Sequence, residues 1–262
     1  MTLDQATVAA LAERLLAAER TRTPITKLTD DYPALDWDDA YAIQRTIREA
    51  KLSAGIRVAG LKAGLTSQAK MKQMNVTEPV FGFLTDTGAW ADGGEIPIDR
   101  YIAPRIEAEI AFVTKYDLSG PDCHIAKVLA ATDFVLPAVE VLDSRYENFR
   151  FDLVSVVADN TSAAGFVTGG RPRLVEDVDL PTLGLVVEKN GKVVEVGAGA
   201  AVLGHPAAAV AMLANSLARR GETIPAGSFI MSGGITAAIA VARGDSISVR
   251  IQDLGSVSLR FV

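Results

Sequence analysis

Two glutamates one residue apart are the first residues in this sequence able to do chemistry. In Arg105-Ile106-Glu107-Ala108-Glu109-Ile110 a strand alternates its side chains, so Glu107 and Glu109 share one face and Ile106, Ala108 and Ile110 take the other. Adjacent carboxylates repel unless a cation or a shared proton offsets them. A hard divalent ion with oxygen ligands is the natural partner. Glu140 is a third acid, set inside the apolar run Ala138-Val139-Glu140-Val141, and a buried carboxylate also wants a cation. Two readings stand together: a divalent-metal site, or a water-facing pair with Glu140 meeting an arginine such as Arg145.

Lys62 lies between apolar residues and glycines in Gly60-Leu61-Lys62-Ala63-Gly64-Leu65-Thr66-Ser67. It is either a cation beside a closely approaching ligand, where burial makes it an adjustable acid, or a solvated lysine on a strand-to-helix turn. Ala158-Asp159-Asn160-Thr161-Ser162 is a polar cluster with the composition of a turn. Ser232-Gly233-Gly234-Ile235-Thr236 follows a strand and offers backbone N–H groups to an anion. It lacks the lysine and helix-opening glycines of nucleotide-binding loops. Of the two histidines, His205 precedes Pro206 and reads as a helix-start residue. His124 and the lone Cys123 form no motif, and no H-E-x-x-H or G-x-S-x-G occurs.

The elements that must position these groups are legible in outline. The chain has 262 residues, 49% hydrophobic and 22% charged, enough to build a core and too apolar for a disordered protein. Its 26 basic and 32 acidic residues give a net charge of −6 without basic clusters, which argues against nucleic acid or anionic membranes as partners. One cysteine excludes an internal disulfide and a cysteine-rich metal cluster. No apolar leader and no apolar run of transmembrane length appear, so a cytoplasmic globular protein is expected.

Thr2-Leu3-Asp4-Gln5 fits a capping box ahead of a helix carrying Val8, Leu11 and Leu15. Asp36 opens a second helix that Gly55 stops, and Thr23 to Leu35 between them reads as a loop. Strands follow: Arg105 to Val113, and Asp133 to Val141, whose Pro137 suggests an edge or a bulge. Leu183 to Val196 makes a hairpin turned by Asn190-Gly191. A helix runs from Pro206 to Arg220, and two strands, Ser246 to Ile251 and Ser256 to Val262, close the chain. The expected fold class is α+β: a small helical N-terminal region over 1–65 and a β-rich core over 66–262.

Taken together, Gly60 to Thr66, Ile106-Glu107-Ala108-Glu109, Val139 to Arg145, Ala158-Asp159-Asn160 and Ile230 to Thr236 resemble the hydratase/decarboxylase branch of the fumarylacetoacetate hydrolase superfamily, over essentially the whole chain. The resemblance implies a mixed β-roll or barrel core. It implies Mg²⁺ (or Mn²⁺) held by Glu107, Glu109 and Glu140, and a catalytic Lys62. Related hydratases tend to carry an acid where Pro79-Val80-Phe81-Gly82 has Val80, and Ser144 to Leu153 looks like the decarboxylating members. The implied reaction is therefore metal-dependent decarboxylation of 2-oxo-3-hexenedioate to 2-hydroxypenta-2,4-dienoate and CO₂, in the meta-cleavage breakdown of aromatic compounds. Hydration of 2-hydroxypenta-2,4-dienoate is the alternative. Leu65, Val80, Asn160, Ser162, Gly234 and Thr236 are the candidate substrate-binding residues. The implied partners are a small 2-oxo dicarboxylate, further copies of the chain, and the hydratase acting next.

Overall fold

The computed structural model describes residues 2–67, 71, 72, 76 and 78–262. Helix α1 (Gln5–Thr21) is capped by Asp4, whose carboxylate accepts from the Thr7 N–H; the cap lies two residues later than the Thr2 box predicts. The expected loop at 23–35 contains a short helix, α2 (Leu28–Asp31), which buries Leu28. Helix α3 (Trp37–Ser53) starts at Asp36 with a full capping box to Asp39 and buries Ile43 and Ile47. Asp39 also accepts from the backbone N–H groups of Thr2 and Leu3, tying the chain terminus to α3.

Thirteen strands follow among the described residues. One sheet runs in the order β2 (Val80–Thr85), β1 (Val58–Gly64), β10 (Phe229–Met231), β5 (Arg105–Thr114), β6 (Thr132–Leu142), β7 (Ala163–Thr168), β3 (Ala89–Trp90), with β11 (Ile239–Ala240) also on β5. Its edge strands β2 and β3 are joined in sequence by the three-residue turn Asp86–Gly88. Three residues span only about 10 Å, so the sheet must curl until its edges meet, forming a roll. The second sheet is β4 (Gly94–Ile96), β13 (Gly255–Phe261), β12 (Ser246–Ile251), β8 (Gly184–Lys189), β9 (Lys192–Ala198). At the β8–β9 turn Asn190 and Gly191 both have positive φ, 54° and 73°, as a type I′ hairpin requires.

Alternation along β5 and β6 builds two interiors. Ile106, Ala108, Ile110, Val135, Val139 and Val141 face outward from the roll into the main core, where they meet the second sheet. Helix α6 (Pro206–Ala218) packs there too, with α4 (Ile125–Ala131) beside it. The segment Gly199–Ala218 is long and apolar enough to cross a membrane by composition, but α6 buries most of its side chains in this core. The opposite face, inside the roll, carries Ala111, Leu136, Ala138, Phe166 and Met231 and continues into the glutamates. Pro137 sits in a central strand rather than at an edge. Its carbonyl accepts from Gly169 N–H where β7 ends, so the missing donor points to where the neighbouring strand has already turned away.

Candidate active site

Register brings the acids together. Antiparallel pairing of β5 with β6 sets Glu107 directly opposite Glu140, and Glu109 joins them from the same face of β5. Oxygens of the three carboxylates all lie within 4.8 Å of one another. Glu109 and Glu140 are completely buried. Burial, reinforced by Glu140 and Glu107, holds Glu109 well above the usual carboxylate range. Burial likewise pushes Glu140 up to about 7, against the pull of Lys62.

The expected choice between metal and arginine resolves differently for Glu140. Arg145 does not reach it; its guanidinium pairs with Asp159 instead. The cation beside Glu140 is Lys62, with Nζ 3.2 Å from Oε1. Lys62 lies within β1, 2% exposed, so it is no solvated turn lysine. Its Nζ also donates to the Thr161 carbonyl at 3.2 Å. A Cβ on Gly64 would stand 3.4 Å from that Nζ and 3.3 Å from Val80 Cγ2. Gly64 thus opens the space where Val80 borders the lysine.

The donor set fits a divalent ion. With all groups charged, three carboxylates and one ammonium leave two negative charges. Glu109 Oε1 and Glu140 Oε2 are buried without a hydrogen-bond partner, an arrangement costly for carboxylates and suited to a hard oxygen-ligated cation. The glycine loop after β10 does present a backbone N–H to an anion, and that anion is Glu109: Gly233 N–H donates to Oε2 at 2.7 Å. A Cβ on Gly234 would stand 2.5 Å from Glu107 Oε2, so a side chain there would push the Glu107 carboxylate out of its present place. The Ser232 hydroxyl is spent on the Ile110 carbonyl.

The remaining predicted residues divide. Asn160 is buried, but its carboxamide is spent bridging the Phe83 N–H and carbonyl at 3.0 and 2.9 Å, so it braces β2. The hydroxyls of Ser162 and Thr236 are buried without partners and remain available for a ligand. Leu65 has a left-handed φ of 58° and packs beside the helical cluster that contains Val80.

Thr161 was not singled out in the sequence. It supplies the carbonyl beside Lys62 and a further buried, unpartnered hydroxyl. It sits with Asn160 and Ser162 in a run of left-handed residues, φ 52°, 48° and 59°. Such backbone costs about 1–2 kcal/mol per residue and clusters at functional sites. Its polar composition signalled a turn but not its hand.

Residues 57–262 match the profile of the fumarylacetoacetate (FAA) hydrolase C-terminal region, and the chain belongs to the fumarylacetoacetate hydrolase family. It is 61% identical over 261 residues to 4-oxalocrotonate decarboxylase of Pseudomonas putida, covering 100% of this chain and 99% of that one. It is 39% identical over 265 residues to 2-oxo-hept-4-ene-1,7-dioate hydratase of Escherichia coli, covering 99% of each. Among solved structures it superposes on 4-oxalocrotonate decarboxylase from Pseudomonas putida G7, complexed with magnesium and adipate. That match has a TM-score of 0.98 at 58% identity and covers 100% of this chain and 99% of that one.

Proposed function

We propose that this chain is a magnesium-dependent carboxy-lyase that converts 2-oxo-3-hexenedioate to 2-hydroxypenta-2,4-dienoate and CO₂. One observation carries the reading: the full-length likeness to decarboxylases at 61% identity, against 39% to the hydratase. Adipate, bound in the similar solved structure, has the six-carbon dicarboxylate skeleton of this substrate.

Glu107, Glu109 and Glu140 would hold the ion, which supplies Lewis acidity at the substrate's 2-oxo group. Lys62 brings a second, fixed positive charge to the same place. As the distal carboxylate leaves, electrons pass through the conjugated double bond and negative charge grows on the 2-oxo oxygen. An ammonium positioned in advance favours that transition state over the ground state. The hydroxyls of Thr161, Ser162 and Thr236, buried without partners, orient the substrate's oxygens. Val80 gives the pocket an apolar wall where an acid would hold water and repel the departing carboxylate.

The reading extends to a cytoplasmic homo-oligomer that hands its product to a hydratase. Incubating the purified protein with 2-oxo-3-hexenedioate and Mg²⁺, and following CO₂ release, tests the reaction. Efficient hydration of 2-hydroxypenta-2,4-dienoate with no CO₂ release would assign the chain to the other chemistry of its family.

A further inference from the structure

The chain leaving α5 (Leu153–Ala158) turns left-handed through Asn160, Thr161 and Ser162, none of them glycine. Such a turn persists only where its surroundings over-determine it. Arg145 is the chief of these. Its backbone N–H donates to the Asp159 carboxylate at 3.1 Å, and its Nε donates to the same carboxylate. One terminal nitrogen donates to the Asp159 carbonyl. The other donates to the carbonyls of Asp143 at 2.6 Å and Ala163 at 3.4 Å. A single guanidinium therefore grips the chain immediately before and immediately after the turn.

The rest of the turn is anchored as well. Asp143 N–H donates to the Ser162 carbonyl at 2.8 Å, and the Asn160 side chain is committed to Phe83. The Asn160 carbonyl accepts from the Ala163 N–H, and that of Thr161 accepts from Lys62 Nζ. Arg145 and Asp159 are 4% and 0% exposed, and neither joins the carboxylate cluster.

We propose that Arg145, locked to Asp159, is the positioning residue of this site: it holds the left-handed turn so that the Thr161 carbonyl aims Lys62 at the reacting oxygen. The inference rests on the function proposed above only for the task of Lys62. Arg145 touches no reacting atom. Lysine in its place keeps the charge and can keep Asp159, but one ammonium cannot span the carbonyls on both sides of the turn. The turn then relaxes, the Thr161 carbonyl swings away and Lys62 loses its aim. The three glutamates stand on β5 and β6 and keep their places.

The test compares wild type with Arg145→Lys and Asp159→Asn in three measurements. These are Mg²⁺ affinity by calorimetry, adipate affinity of the magnesium-loaded protein, and kcat/KM for CO₂ release. For Arg145→Lys the expected result is Mg²⁺ affinity within about threefold of wild type, adipate affinity down about tenfold, and kcat/KM down about 10²-fold. Asp159→Asn should shift in the same direction by less. A variant that melts earlier but matches wild type in adipate affinity and kcat/KM per folded molecule would make the pair purely structural and overturn the proposal. Failure of both variants to fold would overturn it equally. A wild type that binds adipate but releases no CO₂ defeats the functional reading alone, and the adipate measurement still judges Arg145. A wild type that binds no adipate defeats both.

Discussion

Lys62 is the residue on which charge at the site balances. It is buried against Glu140, so its removal is not the near-neutral change that a solvated lysine would allow. Without a metal, Lys62→Met leaves buried carboxylates facing one another, and breaking a buried pair in this way costs about 3–5 kcal/mol. The expected outcome is a Lys62→Met variant that is markedly less stable in EDTA, recovers most of the loss in Mg²⁺, and stays about 10²-fold slower in CO₂ release. Denaturant melts with and without the ion, run beside the assay, check it. Glu109→Gln removes a proposed ligand but keeps the side chain's shape. Its Mg²⁺ affinity should fall about tenfold or more by calorimetry. Unchanged affinity would remove Glu109 from the metal set. Val80→Asp sets a like charge beside the leaving carboxylate, so CO₂ release should drop sharply while metal affinity stays close to wild type, because Val80 supplies no ligand.

At the scale of elements, what was legible in the sequence was local. Alternation in Arg105 to Val113 put Glu107 and Glu109 on one face, and Asn190-Gly191 marked its hairpin, because both signals are carried by neighbouring residues. What was hidden was pairing between distant segments. Nothing local says that Glu107 faces Glu140, that Lys62 reaches Thr161, or that Arg145 turns away from Glu140 to Asp159. The placement of Pro137 in a central strand is hidden for the same reason: its tolerance depends on where a different strand ends. The second helix, by contrast, declares its start, since Asp36 precedes Asp38 and Asp39, acids suited to a positive first turn, and the structure adds a capping box between Asp36 and Asp39. Asp39 then gathers the backbone of Thr2 and Leu3. Burial opposes its charge, yet the hydrogen bonds from Thr2, Leu3 and Asp36 prevail and lower its pKa from 3.8 to about 2. A depressed carboxyl stabilises the folded state above its unfolded pKa and loses that effect as pH falls through the folded one. Docking of the N-terminal helices should therefore weaken between about pH 4 and pH 2. Asp39→Asn should flatten that part of the stability–pH curve, measured by denaturant midpoints.

For the whole molecule, an ion that binds only the assembled glutamates must stabilise the fold by mass action. Glu107 and Glu109 on one strand meet Glu140 on another, and unfolding separates them. The melting temperature should climb with Mg²⁺ concentration, by the equivalent of about 2.7 kcal/mol at a hundredfold excess over Kd. EDTA should reverse the gain, and Glu109→Gln should abolish most of it. A melting temperature indifferent to Mg²⁺ and EDTA would mean that these carboxylates hold no ion in solution. On the function proposed above, Val80 on the site's wall and the stretch Ser144 to Leu153 are what favour loss of CO₂ over addition of water, and only a likeness to whole relatives gives those positions meaning.

The direct opposition of Glu107 and Glu140 has a consequence for descent. Strand side chains alternate with a period of two, so inserting or deleting one residue within β5 or β6 would turn the glutamates outward and aliphatic residues inward. Unless a bulge absorbs it, as the register shifts at Val113/Thr114 and Val141/Leu142 do, such a change disperses the carboxylate cluster and disrupts the main core together. The turn at Asn160 to Ser162 and the approach to β2 at Pro79 and Val80 carry no such penalty, because they border the site without setting its register. New reactions on this scaffold should therefore arise by substitution along that border, while the carboxylate platform is inherited whole.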